Sequence, residues 1–242
     1  MTETTPSLGR LTVVELRKLV DTRSGRWLLI TIAVLAAVVA TLQAIFSEPG
    51  DRTFANFYLV SVFPVALLLP VLGILLVTSE WSQRTALTTF TLVPKRHRVA
   101  AAKVTVAVIA SVVAVPASLA VATVATAASS GEWTFHAQLL WGAALAHAIG
   151  VLMGVGFGML LLNSPLAIVV YLILPTLWTI LGATIRSLNT VAQWLDTTIT
   201  TAPLFEPEMT GGQWARLGVS VAVWALLPLV AGMIRINMRE VA

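Results

Sequence analysis

From Trp133 to Ile185 the chain carries not one Asp, Glu, Lys or Arg. A stretch this long without those charges cannot lie over a protein surface as loop, and it is too long for one helix across a bilayer. A hydrocarbon core of about 30 Å takes roughly 20 apolar helical residues. Asn163-Ser164-Pro165 is the natural break, because Pro suits a helix start and Asn a helix end. The stretch therefore predicts two membrane spans, 139–162 and 165–185. The same test finds four more, at 27–46, 57–78, 104–128 and 214–234, all in one transmembrane domain. Of the 242 residues, 57% are hydrophobic and 11% are charged. A soluble domain has about 25% charged residues. A disordered chain, a coiled coil and an ordinary cytosolic enzyme are excluded, and an all-α membrane protein with six transmembrane helices is expected.

The charges set the orientation. With six spans, the amino terminus, the second and fourth loops and the carboxyl terminus share a side. That side holds twelve of the fifteen Lys and Arg residues, against Arg52, Arg186 and Arg216 on the other. Basic flanks stay inside, so both termini are expected in the cytoplasm. The acidic residues divide almost evenly, five inside and six outside. A net charge of +4 spread in this way does not indicate nucleic acid as a partner. The segment before the first span contains Glu3, Glu15 and Asp21, a poor start for a cleaved signal peptide, so the first span reads as a retained helix. The Ala- and Val-rich composition suggests a bacterial source, and hence the plasma membrane.

Three connecting segments carry structure of their own. Within 1–26, the run Leu11 to Arg26 puts Val13, Leu16, Leu19 and Val20 on one helical side and Glu15, Lys18 and Thr22 on the other. This predicts an amphipathic helix in the cytoplasmic interface, apolar face down. In the 79–103 loop, Glu80 and Arg84 stand at i, i+4 with the acid first, the favourable order for a helical pair. Pro94 should end any helix near Leu92, giving a short cytoplasmic helix. Lys95, Arg96, His97 and Arg98 follow as an expected anchor for lipid headgroups. In the external segment 186–213, Leu188, Val191 and Leu195 repeat at helical spacing beside Trp194, then come Thr197 to Thr201 and Pro203 to Pro207. Short helices dipping into the outer leaflet fit that pattern.

The fourth span carries Gly142, Ala146, Gly150, Gly154 and Gly158, one small residue every four. This is a ladder for close helix packing. Prolines 64, 70, 116, 175 and 228 fall within spans and free backbone carbonyls. His147 has no intramembrane acid as partner, so it is expected to bond a neighbouring helix as a neutral side chain. No H-E-x-x-H, G-x-S-x-G or G-x-x-x-x-G-K-[ST] pattern occurs, and there is no cysteine. The chain is therefore expected not to be an enzyme and to hold no metal or nucleotide.

The layout resembles the membrane subunits of ATP-binding-cassette exporters of the type-2 permease class over nearly its whole length. Those proteins have a leading amphipathic helix, often with a Glu-x-x-Lys pattern, here Glu15-Leu16-Arg17-Lys18. Their second cytoplasmic loop often reads Glu, three residues, Gly-Thr, then Pro-x-x-Arg and a Lys. Here these are Glu80, Thr85, Pro94, Arg98 one place late, and Lys103, with Arg84 in place of the Gly. They also have re-entrant helices before the last span, matching Arg186 to Gln213. The resemblance implies an ABC ATPase partner that binds ATP and magnesium, and a second permease copy or a related permease. It implies a hydrophobic or amphipathic cargo: a lipid, a glycolipid, or a drug-like or peptide molecule. It implies a coupling helix at Glu80–Val93, with Glu80, Arg84, Thr85, Leu87, Pro94, Glu15 and Lys18 toward the ATPase. The alternative is a membrane scaffold or immunity protein that binds a membrane-active compound without moving it.

Overall fold

The computed structural model describes residues 6–83, 85, 91 and 95–238. Among these residues the secondary structure is helical throughout, apart from one isolated bridge between Thr53 and Glu132. Helix α1 (Leu8–Asp21) precedes α2 (Arg23–Phe46), α3 (Phe54–Ser82), α4 (Arg96–Ala128), α5 (Gln138–Leu161) and α6 (Ser164–Thr184). Two short helices follow, α7 (Arg186–Leu195) and α8 (Thr197–Thr201), then a 3-10 turn, Ala202–Phe205. The last span combines α9 (Gly211–Val221), a π-helical turn (Ala222–Leu226) and α10 (Leu227–Met238). Six helices are long and apolar enough to cross a membrane: α2 to α6 and the composite Gly211–Met238. The chain is a membrane-embedded helical bundle.

Several sequence boundaries move outward, because helices continue past the hydrocarbon and end at their caps. Thr22 ends α1 and caps α2, its hydroxyl accepting from Gly25 N–H at 3.2 Å. Thr53 caps α3 through Asn56 N–H at 3.2 Å. The fourth and fifth spans part where the sequence suggested, with the roles changed. Leu162 takes the left-handed position (φ 53°) that closes α5, while Asn163 caps α6 by accepting from Leu166 N–H at 3.0 Å. In the last span, the Pro228 ring would press on the carbonyl one turn earlier, at Trp224. The π turn spans that carbonyl, as expected where a proline disturbs the ladder.

Helices α3 and α5 form the centre of the bundle. One apolar layer joins Val65, Leu69 and Val77 to Ala107 and Ala114 of α4 and to Val151, Val155 and Met159 of α5. A second joins Phe57, Tyr58 and Val62 to Ala122, Leu139 and Ala143. The order of partners makes α3 run parallel to α5 and antiparallel to α4. The glycine ladder of α5 is what permits this contact. A Cβ at Gly154 would fall on the Pro70 carbonyl of α3, one at Gly158 would lie 3.2 Å from Ile74 Cα, and one at Gly150 would lie 3.2 Å from Pro70 Cγ. Gly142, at the other end, packs on the Leu204 carbonyl of the 3-10 turn. Gly156 faces away from the ladder, toward Leu229 and Ala225 of the last span. Ala146 is half-buried.

The 186–213 segment is helical and folded back on the bundle. Gly182 of α6 packs on Ala192 of α7, Trp224 Nε1 donates to the Leu195 carbonyl at 2.6 Å, and buried Asp196 caps α8 through Thr198 N–H at 2.8 Å. Of the apolar residues expected at helical spacing here, Leu188 and Leu195 are half-buried and Val191 and Trp194 are exposed, and Ala192 is buried beside them.

Candidate functional site

Helix α1 keeps the two-sided pattern and departs from expectation in what its sides meet. It spans Leu8–Asp21, and its outward side carries exposed Val13, Leu16 and Val20. Leu19, assigned to the same side, is buried against Leu72, Leu76 and Val106. The polar side faces protein instead of water: Glu15 is 3% exposed. A carboxylate tolerates that depth only when it is paired and hydrogen-bonded.

Among the described residues the pairing is a ring of four charges. Lys18 Nζ donates to Glu15 Oε1 at 2.7 Å and to Glu80 Oε1 at 2.8 Å. Lys103 Nζ donates to Glu15 Oε2 at 2.7 Å and stands 3.4 Å from Glu80 Oε2. Each carboxylate thus divides its two oxygens between the two lysines. Lys103 completes its donors on the Leu76 carbonyl, at 2.8 Å. It is 4% exposed and Glu80 is 5% exposed, while the Lys18 side chain keeps 40% of its surface. Burial disfavours the Lys18 ammonium, but its hydrogen bonds to Glu15 and Glu80 outweigh that and hold its pKa above the ordinary value of 10.5.

Three elements converge to make this ring. Lys103 lies two turns into α4, Glu80 in the last turn of α3, and Glu15 and Lys18 sit at i, i+3 on α1. Glu80 is therefore part of the span helix itself, which corrects the expectation that it opens a separate coupling helix. Thr85, just beyond, donates its N–H to the Glu80 carbonyl at 2.9 Å and closes the end of α3. Of the other expected partner-contacting residues, Arg84, Leu87 and Pro94 lie outside the described residues. Arg96 and Arg98, expected in a loose basic cluster, form the first turn of α4. The Arg96 guanidinium donates to the Ile236 carbonyl at 3.0 Å, bringing the end of α10 to the same end of the bundle.

Sequence reading put Glu15, Lys18 and Glu80 toward a partner and named Lys103 only within the family pattern; its pairing of Glu80 with Arg84 lies outside the described residues. It placed Lys103 in a loop and gave it no partner. The available signal was a single lysine inside an otherwise apolar helical run, a position where a cation requires an anion. A cleft of about 760 Å³ opens beside the ring, between α1 and the end of α3. Arg10, Leu11 and Val14 line it on one side and Leu75, Ser79 and Gln83 on the other.

His147 also departs from expectation. It is 1% exposed, and among the described residues neither ring nitrogen has a well-formed hydrogen bond, although the Val62 backbone of the neighbouring α3 interacts with it. Among the described residues no group of His, Asp and Glu is arranged to hold a metal ion. No family model and no curated protein matches this chain.

Proposed function

We propose that the chain is the permease subunit of an exporter driven by a separate ATP-binding-cassette ATPase. The ionic ring supports this reading. It ties α1 to α3 and α4 close to Ser82 and Arg96, the helix ends that residues 83–95 join. A force applied to that connection acts on three helices at once, because Glu80 and Lys103 bind Glu15 and Lys18 at both of its roots. An ATPase docked there couples only if it binds the connection differently in its two nucleotide states.

In this reading the basic end is cytoplasmic, with both termini there. α1 lies in the interface with Val13, Leu16 and Val20 toward lipid, and α7, α8 and the 3-10 turn re-enter the outer leaflet. The spans present almost wholly apolar surface, which suits a lipid, glycolipid or amphipathic cargo. A second copy, or a related permease, completes the pathway.

Mild purification of the tagged chain from its native membrane tests the proposal. An ATPase in near-equimolar amount is the expected companion, with its ATP hydrolysis raised by the permease. Glu80→Gln keeps the side-chain volume and should leave insertion intact while lowering that stimulation severalfold. A chain recovered alone, with ATP present throughout, overturns the reading and favours a scaffold.

A further inference from the structure

At the end of the bundle opposite the ionic ring, a second cleft of about 670 Å³ lies between α2 and α4. Its walls are mainly small side chains, Ala40 and Ala44 of α2 with Ala125 and Ala128 of α4. Ile45 and Val124 also line it and are exposed, so the cleft opens on a surface suited to lipid. Small residues alone would signify only close packing. What distinguishes this cleft is the charge at its mouth, where Arg52 and Ser130 complete the lining.

Arg52 is built into place. Its backbone carbonyl accepts from Glu132 N–H at 2.9 Å, and the Glu132 carbonyl accepts from Phe54 N–H at 2.8 Å. These bonds, with Ala55 N–H to the Thr134 carbonyl at 3.2 Å, fasten the α2–α3 connection to the α4–α5 connection. Among the described residues the guanidinium bonds only the Ser47 carbonyl, through Nε at 3.3 Å and one terminal nitrogen at 3.1 Å. No carboxylate of the described residues lies within ion-pair distance of it. Yet Glu48, Asp51 and Glu132 are exposed on the same two fastened connections. The mouth thus offers a cation at the cleft, and the connections that hold it carry three exposed acids.

We infer that this cleft binds one membrane glycerophospholipid with an amine-bearing headgroup. One acyl chain lies along the alanines. Arg52 receives the phosphate, whose geometry suits the guanidinium fork. The acidic rim receives the ammonium. A purely anionic lipid would satisfy Arg52 and be repelled by the rim, and an apolar molecule would use neither.

Native mass spectrometry of the full chain, equilibrated with vesicles of equal phosphatidylethanolamine and phosphatidylglycerol, tests this site. One phosphatidylethanolamine per chain should survive delipidation, in at least fivefold excess over phosphatidylglycerol. Arg52→Gln and the cleft-filling Ala128→Trp should each lower its occupancy about tenfold. Equal retention of the two lipids by the unmodified chain overturns the headgroup assignment without recourse to any variant. Unchanged lipid occupancy in both variants overturns the site. A change of oligomeric state in Ala128→Trp with lipid retained would give the cleft to a second copy instead. None of these outcomes depends on an ATPase, so the site stands or falls apart from the transport reading.

Discussion

The four charges of the ring are unequal at the level of single residues. Lys103 is enclosed, and removing it takes from buried Glu15 and Glu80 the cation between them. Breaking a buried pair from one side costs about 3–5 kcal/mol. Lys103→Met should therefore lower the thermal midpoint of the detergent-purified chain far more than Lys18→Met. Exposed pairs contribute about 0–1 kcal/mol, and Lys18 sits nearer that limit. Equal losses in the two variants would contradict the ring geometry. Charge exchange is the sharper check: Lys18→Glu should be rescued in part by Glu80→Lys, because the two side chains meet directly. The pH dependence follows from the raised Lys18 pKa. Its stabilisation is present in full below 10.5, the ordinary lysine value, and is lost as the pH rises through the higher folded-state value. Alkaline titration of the melting temperature should show that loss, and Lys18→Met should flatten it.

Among the elements, the α3–α5 contact determines how closely the central helices approach. Gly154 stands where a Cβ meets backbone, the Pro70 carbonyl, and backbone cannot rotate aside. Gly154→Ala should cost about 1–3 kcal/mol, as overpacking in a tight core does. Gly218, on α9, has nothing within 4 Å of its added Cβ. Gly218→Ala should be neutral or slightly stabilising, since alanine favours helix. Thermal unfolding of both variants checks the contrast, and two equal shifts would remove the packing role of the ladder. The ladder was legible from one small residue every four, but its partners were not. Spacing shows that a helix has a smooth stripe; it does not show that Pro70, Ile74 and the Leu204 carbonyl lie against it. Helix α1 makes a similar point. Its two-sided pattern was read correctly, and its polar side was assigned to water because amphipathic helices usually present it there. The partners that make protein the better solvent for this side are distant in sequence: Lys103 stands 88 positions from Glu15, and Glu80 stands 62 from Lys18.

The whole molecule adds an orientation that can be tested directly, since the chain has no cysteine. Single cysteines at Ser130 and at Gln83 lie at opposite ends of the bundle. In sealed right-side-out vesicles an impermeant maleimide should label Ser130→Cys at once and Gln83→Cys only after permeabilisation. The reverse pattern would invert the topology and place the ionic ring outside, where no cytoplasmic ATPase reaches it.

The sequence by itself determined the class of the protein and the number of its spans. Apolar length against bilayer thickness is a local property, and each span satisfies its own backbone hydrogen bonds. It also marked where α5 gives way to α6, because proline and asparagine act on the backbone beside them. The tertiary structure alone decided which charges meet. Glu15, Glu80 and Lys103 lie on three helices, and a buried charge is stable only in the fold that brings its counter-charge within about 3 Å. It likewise decided that Arg52 stands at the mouth of an alanine-lined cleft, with Glu48, Asp51 and Glu132 on the connections around it. That arrangement depends on two loops fastened by backbone bonds, and backbone bonds of that kind leave no pattern in the side chains.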